Sequence, residues 1–267
     1  MLIALSLAAE VLVGVYEQQE NRVRAAFRHD PDGWHALPFE APDPRDHERL
    51  PASVPETVDW TIARDGKAIG SASSRRQAHY EAYAQIGQME VTRKAVRPVK
   101  TARLVAVSQP NVADPDGWKP SPLDAKSRER ALAAFRKKIP KREICDKKTY
   151  RLLPRDYRDA EVKSLKSYRS ASGARVVRLQ LEVKEQNCEY GDEDVPYLDS
   201  HTFGITAAGE VVPIAQNLTV VDAGDYDNDG RSELVFFQTD EAEHNEEAYL
   251  LVTADFRTAA KFRWSHH

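Results

Sequence analysis

Segments of strand-forming residues recur along this whole chain, joined in pairs by short glycine-bearing turns. Val58 to Ala63 leads through Arg64-Asp65-Gly66 into Lys67 to Ala72, and Val162 to Tyr168 passes Ala171-Ser172-Gly173 into Arg175 to Val183. Thr202 to Thr206 turns at Ala208-Gly209 into Glu210 to Ile214. Val11 to Tyr16 with Arg22 to Arg28, and Tyr249 to Val252 with Ala260 to Trp264, repeat the pattern. Period-2 alternation broken by a Gly turn marks β-hairpins. Hairpins spaced along an entire chain predict a mainly β, antiparallel fold. A propeller-like arrangement of about five small blades is expected, closed by pairing the strand around Val11–Tyr16 with the C-terminal strands. A β-sandwich fits the same periodicity.

One amphipathic helix interrupts the strands. Ser121 stands as its cap, Pro122 at the first helical position and Asp124 at N3, a start signal in which Pro loses no needed N–H. Leu132, Phe135 and Ile139 line one face, and Pro140 ends the run. Arg136, Lys137 and Lys138 suit the negative end of the helix dipole.

The chemistry is concentrated near the C-terminus. Asp225, Asp227 and Asp229 stand at alternate positions, Gly230 permits a sharp turn, and Glu233 completes the set. Carboxylates this dense repel one another unless a cation neutralises them, and all-oxygen ligation by a loop suits a hard ion of calcium's size. An EF-hand would need its bidentate Glu at position 12, where this chain has Phe236. The flanks, Leu218 to Val221 and Leu234 to Phe237, have the composition of buried strands, so the unit reads strand–loop–strand. Asn228-Asp229-Gly230 alone would serve as a hairpin turn, but a plain turn has no need of carboxylates at 225, 227 and 233.

Gly224-Asp225-x-Asp-x-Asp-Gly-x-x-Glu-Leu-Val resembles the calcium loop of FG-GAP and VCBS repeats, found in integrin-type β-propellers and bacterial surface proteins. The resemblance covers residues 220–237 and implies Ca2+ held by Asp225, Asp227, Asp229, the backbone carbonyl of Arg231, and Glu233. One copy is present, and Glu stands where Asp is commoner, so an integrin-like role is not implied.

At 267 residues the chain is long enough to bury a full core, and residues 10–267 read as a single β-rich domain. Its net charge of −4 hides an uneven distribution: 122–151 is rich in Lys and Arg, while 222–247 is acidic apart from Arg231. The basic stretch falls on the helix and its tail, a sufficient structural reason for it. Without interleaved aromatics it does not support nucleic acid. Residues 1–9, apolar and ending Ala8-Ala9, resemble the end of a secretory signal peptide. Glu10 interrupts that run well short of the roughly 20 residues of a membrane span, so stable membrane insertion is not expected.

Cys145 and Cys188 are too few for a zinc site, and export would favour a disulfide between them, worth about 4 kcal/mol from loop entropy. Residues 38–57 carry five prolines and form a long surface loop or a boundary. Asp-Pro-Asp-Gly-Trp occurs twice, at 30–34 and 114–118; each copy reads as a turn followed by a packed aromatic rather than as a ligand-facing Trp. The eight histidines lack ligand spacing, and no nucleophile elbow, zinc-protease helix or phosphate loop is present. The expected function is a calcium-binding, non-catalytic envelope or interaction module, periplasmic or secreted, with a protein or polysaccharide partner. The competing expectation is an exported hydrolase or lyase acting on polysaccharide or peptide, its fold braced by calcium.

Overall fold

The computed structural model describes residues 10–37, 54–77, 86–146, 148–149, 151–182, 200–240 and 246–265. Where the sequence reads as one β-rich domain, the chain divides into two compact units, residues 1–116 with 219–267 and residues 117–218. The second is an insertion within the first.

The first unit begins with seven strands: β1 (Val11–Glu17), β2 (Arg22–Asp30), β3 (Gly33–Ala36), β4 (Thr57–Arg64), β5 (Lys67–Arg76), β6 (Gln88–Val96) and β7 (Arg103–Val107). They form one antiparallel sheet in the order β1-β7-β4-β5-β6-β2-β3, and β1 also pairs with β2, so six strands close into a barrel. Closure explains why β1 is buried along its whole length: it has a neighbour on each edge and apolar packing on both faces. The expected pairing of Val11–Tyr16 with C-terminal strands is therefore corrected. Val13 to Glu17 pair with β7, Val11 to Glu17 with β2. Trp60, Ile62, Phe27 and Met89 are among the fully buried side chains of this unit, each contributing about 1.5–3 kcal/mol relative to exposure.

In the inserted unit come β8 (Lys119–Pro120), the helix α1 (Ala125–Lys138), β9 (Arg142–Asp146), β10 (Arg151–Arg155), β11 (Val162–Arg169), β12 (Arg175–Leu181), β13 (Ser200–Ile205) and β14 (Val211–Gln216). Five of these strands make an antiparallel sheet, β14-β13-β12-β11-β8, while β9 and β10 pair separately. Ala131, Leu132 and Phe135 of α1 pack with Val177, Leu179 and Phe203 of the sheet. The helix starts later than its sequence signal. Asp124, not Ser121, is the N-cap, its carboxylate accepting from Ser127 N–H at 2.8 Å. Ser121 instead donates its backbone N–H to Ser167, since β8 already holds the preceding residues to β11.

The chain then returns through β15 (Leu218–Gly224), β16 (Glu233–Asp240), β17 (Glu246–Val252) and β18 (Thr258–Ser265), a four-stranded antiparallel meander. Phe237, Tyr249, Leu251, Phe262 and Trp264 join the barrel residues in one apolar core. The buried charged pair Glu17 and Arg24 at that core is matched. Glu17 accepts from Arg24 Nε at 2.9 Å and Gln88 Nε2 at 2.9 Å, and Arg24 lies 4.1 Å over the Trp264 ring.

The hairpin pairs expected from sequence form as β1–β2, β4–β5, β11–β12, β13–β14 and β17–β18. Five blades do not appear among the described strands, which fall into sheets of seven, five, four and two. Alternation specifies hairpins but not their grouping, and closure of the first sheet depends on long-range pairs such as β4–β7. Residues 1–9, most of the proline-rich segment and Cys188 lie outside the described residues, and with Cys188 the expected disulfide. Cys145 is on β9, opposite Leu152.

Candidate metal centre

The acidic loop connects β15 to β16, in the strand–loop–strand setting its flanks predict. Oxygens of Asp225, Asp227 and Asp229 lie within 4.8 Å of one another. The loop is wound by its own carboxylates. Asp227 Oδ1 accepts from Asp229 N–H at 3.1 Å, Asp225 Oδ2 from Gly230 N–H at 3.1 Å, and Asp229 Oδ1 from Arg231 N–H at 2.7 Å. Gly230 sits at φ +87°, a conformation glycine adopts without steric cost. Gly224 is required differently: a Cβ there would meet the Tyr226 ring at 2.6 Å.

The five expected site residues divide into three groups. Asp225, Asp227 and Asp229 converge. Glu233 is buried behind them, accepting Tyr226 N–H at 2.8 Å, and Arg231 is on the exposed turn with its N–H committed to Asp229. Burial raises Asp225 above its usual value, and the charges of Asp227 and Asp229 add to this against the bond from Gly230. Glu233 is pushed up to about 8 by burial and by the three aspartates, against the bond from Tyr226. Asp225 is only 7% exposed, yet its Oδ1 has no hydrogen-bond partner. A buried carboxylate oxygen left without a donor costs free energy, and a hard cation coordinated by it would remove that cost. The donor set, all carboxylate oxygen, fits calcium's preference.

Several neighbours were not visible as site residues in the sequence. Trp34 Nε1 donates to Asp227 Oδ2 at 3.1 Å, and His29 Nε2 lies 3.7 Å from the same oxygen. Asp225 N–H donates to Ala113 O at 2.7 Å. Ser232 is gripped by Asp116, whose Oδ2 accepts Ser232 N–H at 2.9 Å, and by Asp114, which accepts its hydroxyl. Gln109 donates to Tyr226 O at 2.8 Å and accepts from Asn228 at 2.8 Å. Deeper in, Asp222 is raised to about 7 by burial, with Asp65 and Asp114 adding charge against bonds from Ala223 and Asp65. Both Asp-Pro-Asp-Gly-Trp copies thus reach the loop, and their repetition was the available signal. Among the described residues no helix is long and apolar enough to cross a membrane. No family model, curated protein or solved structure matches the chain.

Proposed function

We propose that the chain is a calcium-stabilised β-protein acting outside the cytoplasm as a non-catalytic envelope or interaction module, with Ca2+ structural in the 225–233 loop. The observation that carries this reading is the convergence of Asp225, Asp227 and Asp229 around a buried Asp225 oxygen that has no donor. Asp225, Asp227, Asp229 and Glu233 would hold the ion by side-chain oxygen and Arg231 by its carbonyl, as in FG-GAP and VCBS loops. On this reading the β15–β18 meander, which carries the loop, is a blade-like element, and a complete propeller is not required. The ion neutralises the carboxylates and fixes the β15–β16 connection. Millimolar calcium outside cells suits such a site.

A calorimetric calcium titration tests this: one ion per chain is expected, with a melting temperature higher in millimolar calcium than in chelator. An unchanged melting temperature, or an Asp227→Ala protein that responds to calcium like the parent, would refute it.

A further inference from the structure

We propose that the two Asp-Pro-Asp-Gly-Trp turns clamp the metal loop, with Trp34 the positioning residue for Asp227. This rests on the metal reading of the loop. The two copies grip it at different points and by different parts of the same motif.

The first copy acts through its tryptophan. Asp30 Oδ1 accepts Asp32 N–H at 2.9 Å, closing the turn, and Gly33 at φ +113° starts β3. This sets Trp34 directly across from His29 in the β2–β3 register, their ring centroids 4.8 Å apart. The indole N–H therefore comes from a braced ring on a paired strand. Indole is a donor only and uncharged. It can fix the plane of the Asp227 carboxylate without neutralising it, and each oxygen keeps a second lone-pair direction for a cation. A Lys or Arg at this place would supply the same hydrogen bond but compete with the ion.

The second copy acts through its acids. Asp116 and Asp114 hold both the backbone and the hydroxyl of Ser232, and Asp116 N–H donates back to Ser232 Oγ at 3.3 Å. Ala113, just before the motif, takes the N–H of Asp225. The loop is thus held at residues 225 and 232 by one turn and at its centre by the other. Loop-ordering entropy is met on folding rather than on ion binding, which raises affinity.

The test is calcium calorimetry with tryptophan emission on four proteins: wild type, Trp34→Phe, Ser232→Ala and Trp60→Phe. Trp60 is buried in the barrel and bonded to Ser74 Oγ at 2.7 Å, so its variant reports a purely structural loss. Trp34→Phe should weaken calcium about tenfold, the scale of one hydrogen bond to a carboxylate, with one ion still bound. Calcium should change tryptophan emission in wild type and in Trp60→Phe but not in Trp34→Phe. Ser232→Ala should weaken calcium while keeping the emission change. Wild-type affinity in both Trp34→Phe and Ser232→Ala would overturn the clamp and leave the metal site standing. Absence of calcium binding by wild type would remove both.

Discussion

The Tyr249 hydroxyl donates to Glu17 Oε1 at 2.8 Å, joining residues 232 positions apart in the chain. Tyr249 lies in the meander and Glu17 at the end of the first barrel strand, and both are buried. Tyr249→Phe keeps the ring but leaves that oxygen with one donor fewer. A loss of about 1.5 kcal/mol is expected, or a fall in Tm of about 3–6 °C by calorimetry.

The same network sets an acid limit. Burial pushes Glu17 up, but the charge of Arg24 and the bonds from Arg24, Tyr249 and Gln88 outweigh it, so its carboxyl sits below the ordinary 4.5. A depressed folded value contributes stability above the unfolded value and loses it as pH falls through the folded one. Wild type should therefore lose stability progressively below about pH 4.5. Glu17→Gln should be less stable at neutral pH, because Arg24 is left buried with a weaker partner, and should show a shallower acid loss. Denaturant melts at pH 3 to 7 measure both.

Asp225→Asn should reverse its rank with calcium. In chelator the variant melts higher than wild type, because a buried charge beside two others is gone. In calcium at about 100 times the dissociation constant, wild type gains about 2.7 kcal/mol and the variant gains far less. Parallel melts in chelator and calcium show whether the order crosses.

Asp222 carries a penalty of the opposite pH sign from Glu17. With its folded value raised to about 7 from 3.8, the folded state keeps a proton the unfolded chain gives up. Stability falls as pH rises between those values and stays lowered above them. Asp222→Asn should match wild type near pH 4 and exceed it at pH 8 by something on the order of 1–3 kcal/mol. Urea titrations in chelator at the two pH values test this.

Phe135 is fully buried between α1 and its sheet in the inserted unit. Phe135→Ala should cost about 3–5 kcal/mol there. Because that core is separate from the barrel core, the calcium response of the first unit should persist. Differential scanning calorimetry with and without calcium resolves the two effects.

Local features were legible where a few adjacent residues decide them. The Gly-bearing turns located the hairpins, and the Asp spacing located a loop whose oxygens do converge. What the sequence left hidden were decisions made at long range. β7 closes the barrel by reaching β1 and β4, and nothing in Arg103–Val107 names those partners. Likewise Trp34 and Asp227 are 193 residues apart, so the first copy of the repeated motif read as a turn with a packed ring. The displaced cap shows local competition: Ser121 and Asp124 both suit an N-cap, and pairing of β8 with β11 decided between them.

The insertion also imposes an order of synthesis on the first unit. Strands β1 to β7 are complete by Val107, but Phe237, over whose ring Arg103 lies at 3.5 Å, follows about 130 residues later. At roughly 5–20 residues per second, the barrel waits some 7–26 s for the sheet that covers it, with Glu17 and Arg24 paired beneath a surface still open to water. The inserted unit emerges during that interval, with its own core to fold around. The nascent chain is therefore open to mispairing from Val107, where the barrel strands are complete, until β15 to β18 have been added.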